Sequence, residues 1–174
     1  MSMGNWVDWQ YYPNYSDIPE HMLKVAEVFS SKENQIATNK DHKMDSNTIL
    51  EILASDLKNI GFAVESGKKK SEKITLPVLF GRNGKAVKSF DVDAYNKDSK
   101  TVIEVEAGRA VTNNQFLKDF FEAIVMTGVD YCIIAVRKLY RESNDFEEVT
   151  RFFDTLYSSR RFDSKLKGLL IIGY

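Results

Sequence analysis

A single cysteine, Cys132, in a chain of 174 residues leaves no intramolecular disulfide to hold the fold. Its apolar setting, Tyr131-Cys132-Ile133-Ile134, marks it as a core residue. Histidine is almost as scarce: His21 and His42 are the two present, and both lie outside the acidic stretch described below. That disfavours a zinc hydrolase built on His and Cys ligands. No glycine-rich phosphate loop occurs, so no nucleotide cofactor is expected. No apolar run approaches the length of a membrane span, and the N-terminus lacks a basic stretch followed by an apolar one. The expectation is therefore a cytoplasmic protein with no membrane partner. Charge of one sign is lacking too, with 24 basic against 25 acidic residues. This argues against a broadly basic nucleic-acid coat but leaves room for a local basic cleft beside an acidic site.

What is present is ordinary soluble composition, 43% hydrophobic and 28% charged, in a length that suits one domain. Residues 1–45 read as an N-terminal arm and helix. The arm carries Trp6, Trp9, Tyr11, Tyr12 and Tyr15 between the breakers Pro13 and Pro19 and reads as irregular, pinned by its aromatics onto the domain or onto a partner. Pro19 opens a helix with Met22, Val25, Ala26, Val28 and Phe29 on its apolar side, and residues 30–45 read as loop. Residues 46–137 form the central region. Ser46 or Asn47 caps a helix with the stripe Leu50, Leu53, Leu57 and Ile60, and Glu51 lies at its margin. A basic loop with Lys68, Lys69, Lys70 and Lys73 precedes a strand over 74–80, which Pro77 assigns to an edge or a bulge. The turn 81–85 then carries Arg82 and Lys85.

The most informative stretch follows that turn. Phe90-Asp91-Val92-Asp93-Ala94-Tyr95 and Thr101-Val102-Ile103-Glu104-Val105-Glu106 each read at period two as a strand with acids on one side. A hairpin across 96–99 with a two- or four-residue loop pairs Asp91 with Glu104 and Val92 with Ile103. Val92, Ala94, Ile103 and Val105 then cover the core, and Asp91, Asp93, Glu104 and Glu106 share the other face. Like charges placed opposite one another destabilise a sheet unless they take up protons or hold a cation. Hard oxygen ligands of this kind suit Mg²⁺, and the plain alternative is a solvated acidic face. Beyond Arg109, Thr112 or Asn113 caps a helix with the stripe Phe116, Leu117, Phe120, Phe121, Ile124 and Val125, and Lys118, Asp119 and Glu122 face away. A buried strand over 129–136 follows. Residues 138–174 supply a helix from about 143 and a final apolar strand that completes the sheet. The element order predicts an α/β sandwich around a mixed sheet.

A helix bearing Glu51, then Asp91, then Glu104-Val105-Glu106, then a helix and a buried strand resembles the PD-(D/E)XK nuclease superfamily over residues 46–137. Within it, Glu104-Val105-Glu106-Ala107-Gly108-Arg109 is most similar to the signature of BglII-like type II restriction endonucleases, and the run from Gly128 to Ile134 resembles their later strand. The resemblance implies a restriction-endonuclease-like three-layer sandwich, a central mixed sheet flanked by helices. It implies a Mg²⁺-dependent endonuclease, with Mn²⁺ as a substitute, that cuts double-stranded DNA as a homodimer. Asp91 matches the first metal-binding acid, with Asp93 as an outer ligand or as the true first acid. Glu104 matches the second, and Glu51 the helix acid that some members add. Glu106 stands where most members carry lysine, which shifts the orientation of water onto metal ions. Arg109, Lys69 and Lys85 are candidate phosphate contacts. The other reading is a catalytically inactive nuclease fold that binds DNA or a protein partner.

Overall fold

Six strands, in the order β1-β8-β7-β6-β5-β2, make a mixed sheet with helices on both faces, and a two-stranded ribbon, β3-β4, stands apart from it. The computed structural model describes residues 5–40 and 43–174; His42 and the first four residues of the arm lie outside them. The strands of the main sheet are β1 (Asp8–Tyr12), β2 (Ala63–Val64), β5 (Ala94–Asn96), β6 (Thr101–Val105), β7 (Tyr131–Val136) and β8 (Gly168–Gly173). Parallel pairing runs β6 to β7 and β7 to β8, and the remaining pairs are antiparallel. Residues facing helices on both sides explain the near-continuous apolar runs of β7 and β8.

Helices α1 (Glu20–Ser31) and α3 (Ser46–Asn59) cover one face. Their Met22, Val25, Phe29, Leu50, Leu53 and Leu57 pack with Ile103, Val105, Ile133 and Leu170. Helices α4 (Gln115–Val125) and α5 (Asp145–Ser158) cover the other, where Phe116, Phe120, Val149 and Phe153 meet Val102, Cys132, Ile134 and Leu169. The result is a three-layer α/β sandwich around a mixed sheet, as the element order predicts. Among the described residues, no helix is long and apolar enough to cross a membrane.

Several local expectations change. The aromatic arm is not irregular: Asp8–Tyr12 pairs antiparallel with β8 as an edge strand, and Tyr12 is fully buried with its hydroxyl donating to the Thr150 carbonyl. The stretch after α1 holds a short helix, α2 (Glu33–Ile36), and a 3-10 turn rather than plain loop. The cap of α3 is Asp45, whose carboxylate accepts from the Thr48 amide at 2.8 Å, one residue ahead of the expected cap. The strand β3 (Ile74–Phe80) pairs with β4 (Ala86–Val92) through register shifts between Pro77 and Phe80, so the proline does sit at an irregularity.

The acidic hairpin is displaced by two positions from its expected register. Ala94 faces Ile103 and Asn96 faces Thr101, so the loop is 97–100 and Asp93, not Asp91, falls beside Glu104. Asn96 supplies the physical reason. Its side-chain oxygen accepts from the Asp98 and Ser99 amides, which makes it the closing residue of the turn rather than part of the loop. The displacement is even, so the acids of Asp93 and Glu104 still share a face. Val92, Ala94, Ile103 and Val105 are all buried as expected, but Val92 joins the opposite core from the other three. The chain bends at Asp93, where β4 leaves the ribbon and β5 enters the main sheet.

Candidate active site

Glu104 lies in the middle of the sheet, next to Ile134 of β7, and points with Val102 toward the α4 layer. Burial, followed by the charges of Asp93, Asp119 and Glu106, pushes its carboxyl well above the usual range. Beneath it sits Cys132, fully buried, with its thiol also pushed up by burial first and by Glu104 second. Asp93, at the bend, accepts a hydrogen bond from the Val105 amide at 2.7 Å, which ties it to β6. Desolvation outweighs that bond and raises Asp93 to about 6, with Glu65 and Asp119 adding to the rise.

Glu106 follows the last residue of β6. Its backbone is fixed at both ends, the amide donating to Ala135 and the carbonyl accepting from the Tyr174 hydroxyl. Gly108, two residues on, has φ +108°, and a Cβ there would lie 2.3 Å from the Tyr140 ring. The turn that carries the chain from β6 toward α4 therefore demands glycine. Burial and the neighbouring Asp119 push the Glu106 carboxyl up to about 9. Asp119 is itself raised, again by burial first, and it accepts from Gln115 Nε2 at 3.1 Å. Its second oxygen, Oδ2, is buried and meets no donor when both acids are ionised. The pair is joined when one of them keeps its proton, and Glu106 is the group raised far enough to keep it at neutral pH.

The structure thus brings Asp93, Glu104 and Glu106 together and adds Asp119, which the apolar stripe of α4 predicts to face away. The apolar residues of α4 are abundant enough to support two facings. The observed one buries Phe116, Asp119, Phe120 and Ala123 and leaves Phe121 and Val125 more than half exposed. Glu122 faces Lys118 at 3.6 Å, with its side chain only 16% exposed, so it is not turned away either. A small residue at 123 and an acid at 119, each one helical turn from Phe116 or Phe120, were the available signal.

Asp91 does not join the group. It belongs to the ribbon, accepts from the Thr75 hydroxyl at 2.8 Å and lies 3.2 Å from the Lys73 ammonium. The Thr75 bond, then Lys73, hold its carboxyl below the usual range. Lys73 also pairs with Glu65 at 3.4 Å, so it is engaged rather than merely solvated. Glu51 is exposed on α3 and shares a cleft of about 240 Å³ with Glu65, Ser66 and Gly67, on the side from which Glu65 acts on Asp93. Lys69 and Lys85 are exposed, Lys69 at the start of a 3-10 turn and Lys85 at the tip of the ribbon; Arg109 is exposed in the turn after β6.

Among the described residues, no group of three or more His, Cys, Asp or Glu side chains is already drawn into metal-ligand spacing. The donor set still suits a hard divalent cation, because Asp93, Glu104, Glu106 and Asp119 offer oxygen ligands alone. No protein-family model matches the chain, and no curated protein does.

Proposed function

We propose that this chain is a Mg²⁺-dependent endonuclease hydrolysing DNA phosphodiester bonds, restriction-endonuclease-like in fold and most similar to the BglII-like group of the PD-(D/E)XK superfamily. One observation carries the reading. Asp93, Glu104, Glu106 and Asp119 converge from a bend, a strand and its end, and a helix, and all four carboxyls are raised. Uncompensated acids in a protein interior cost stability, and such an arrangement persists where it serves a site. The first acid of the motif is then Asp93 in place of Asp91.

Asp93 and Glu104 would hold the cation, Mg²⁺ or Mn²⁺, with Asp119 or Glu106 available to a second ion. When bound, the cation makes water a nucleophile near neutral pH and neutralises charge gathering on the phosphate. Glu106 would release its own proton if a cation took over neutralisation of the cluster. Its carboxylate then accepts the proton of the water that attacks phosphorus, the task that lysine assists in most of the superfamily. The Val105 amide keeps Asp93 aimed, and Gln115 holds Asp119.

A plasmid-nicking assay tests this. The parent cuts in Mg²⁺ or Mn²⁺ and is silent in chelator. Asp93→Asn and Glu104→Gln lose activity by at least about 100-fold, more than a supporting residue costs, whereas Asp91→Asn stays within a few-fold of the parent. A folded parent that cuts neither DNA nor RNA with any divalent ion defeats the proposal. The second reading, a nuclease fold that binds DNA or a protein without cutting, is favoured by the proton that Glu106 shares with Asp119. Calorimetric titration separates the two, since a binding module need not take up Mg²⁺ at these acids.

A further inference from the structure

The β3-β4 ribbon is anchored only at its base. Leu76 and Val92 are buried there, and the Pro77 carbonyl accepts from the Thr127 amide. Val78 and Phe90 still pack partly against the same core, and toward the tip the ribbon is bare: Leu79, Phe80 and Val87 are 58%, 49% and 60% exposed. A polypeptide edge of this kind ordinarily invites aggregation unless something covers it. Its charge indicates what does. From Pro77 to Lys88 the sequence carries Arg82, Lys85 and Lys88 and no acid, in a chain whose net charge is −1. The tip is turned tightly by Asn83 and Gly84, both at positive φ, which keeps Arg82 and Lys85 together at its end.

We infer that this ribbon is a DNA-gripping arm that lies in the major groove of the duplex substrate, Arg82, Lys85 and Lys88 on the phosphates flanking it and the Leu79–Val87 surface against base edges. The inference rests on DNA being the substrate. The major groove is wide enough to admit a two-stranded ribbon, and apolar side chains there contact thymine methyl groups. The spacing also fits. Lys88 and Asp93 are five residues apart in the sequence, roughly 17 Å of extended strand, which is about five nucleotide steps along a duplex. One continuous stretch of chain thus reaches from the groove to the acids.

The test uses Glu104→Gln protein, which holds DNA without cutting it, and fluorescence anisotropy of a short labelled duplex over a range of salt. In that background, Arg82→Ala/Lys85→Ala/Lys88→Ala weakens binding by at least 10-fold (roughly the loss of a few phosphate contacts) and makes the log–log salt slope shallower by about 2 to 3. Leu79→Ser/Val87→Ser lowers affinity and leaves the slope unchanged; thermal melts verify that both variants fold. Absence of DNA binding by the background protein, or binding by the triple variant equal to it, overturns the inference. So does a dimer that Leu79→Ser/Val87→Ser splits while DNA affinity stays the same, because the ribbon would then be covered by a second copy. Failure of the parent to cut DNA that it binds through the ribbon would defeat hydrolysis and leave the arm standing.

Discussion

Burial raises Glu106 from an ordinary 4.5 to about 9 and Asp93 from 3.8 to about 6, so the folded protein holds protons that the unfolded chain has released. The sign follows from linkage: stability from these groups is complete below about pH 4, where both states are protonated, and is lost as pH rises through the folded values. The cation-free protein therefore becomes less stable from pH 4.5 to about 9 on account of Glu106. Glu106→Gln shallows the decline between about pH 6 and 9, and Asp93→Asn shallows it only below about 6, as measured by urea denaturation in chelator. A parent whose stability is flat or rises over that range contradicts the placement of these carboxyls. Glutamine is a close copy of a protonated glutamate, so Glu104→Gln should keep the fold intact while removing activity. Asp91→Asn and Asp93→Asn, compared in the nicking assay, separate two neighbouring acids by what each one touches.

Helix α4 shows how an element can be right in place and wrong in rotation. Its bounds accord with the apolar run, but the buried face is 116, 119, 120 and 123. Phe120 packs edge-on against Phe153 at 5.0 Å between ring centres, whereas its neighbour Phe121 is 55% exposed. Phe120→Ala should accordingly cost about 3–5 kcal/mol and Phe121→Ala no more than ~0.5 kcal/mol, read from denaturant midpoints. Equal losses would mean that the helix presents the other face and that Asp119 is not at the site. The ribbon is the second element whose role is set by what it lacks. Without acids, its tip beyond Val78 is held chiefly by strand pairing.

For the molecule as a whole, the fold was largely legible in the sequence, and the site only in part. Period-two alternation placed Val92, Ala94, Ile103 and Val105 in the interior, and an even register kept the acids on one side whichever turn closed the hairpin. The identity of the facing acid was not legible, because it depends on whether Asn96 ends a strand or begins a loop, and one side-chain hydrogen-bond pattern decides that. Asp119 was hidden for a different reason. Either rotation of α4 buries Phe116 and Phe120, and the observed one also brings Asp119 beside Glu106. Protons and a divalent ion compete for the same oxygens, so Mg²⁺ should raise the melting temperature, and more at about pH 8 than at about pH 6; an ion at 100 times its dissociation constant adds about 2.7 kcal/mol. Calorimetry in two buffers of different ionisation enthalpy would count the protons released, and a count of zero would remove the ion from these acids.

Cys132, the second residue of β7, has no exposure and lies among Val102, Ile134 and Leu169. An alkylating reagent can reach that sulfur only when the middle of the sheet comes apart, so the rate of covalent labelling is a clock for opening of the whole fold. Because the thiol is native and solitary, the clock needs no engineered probe, and slower labelling with Mg²⁺ or duplex present would report their engagement on unmodified protein.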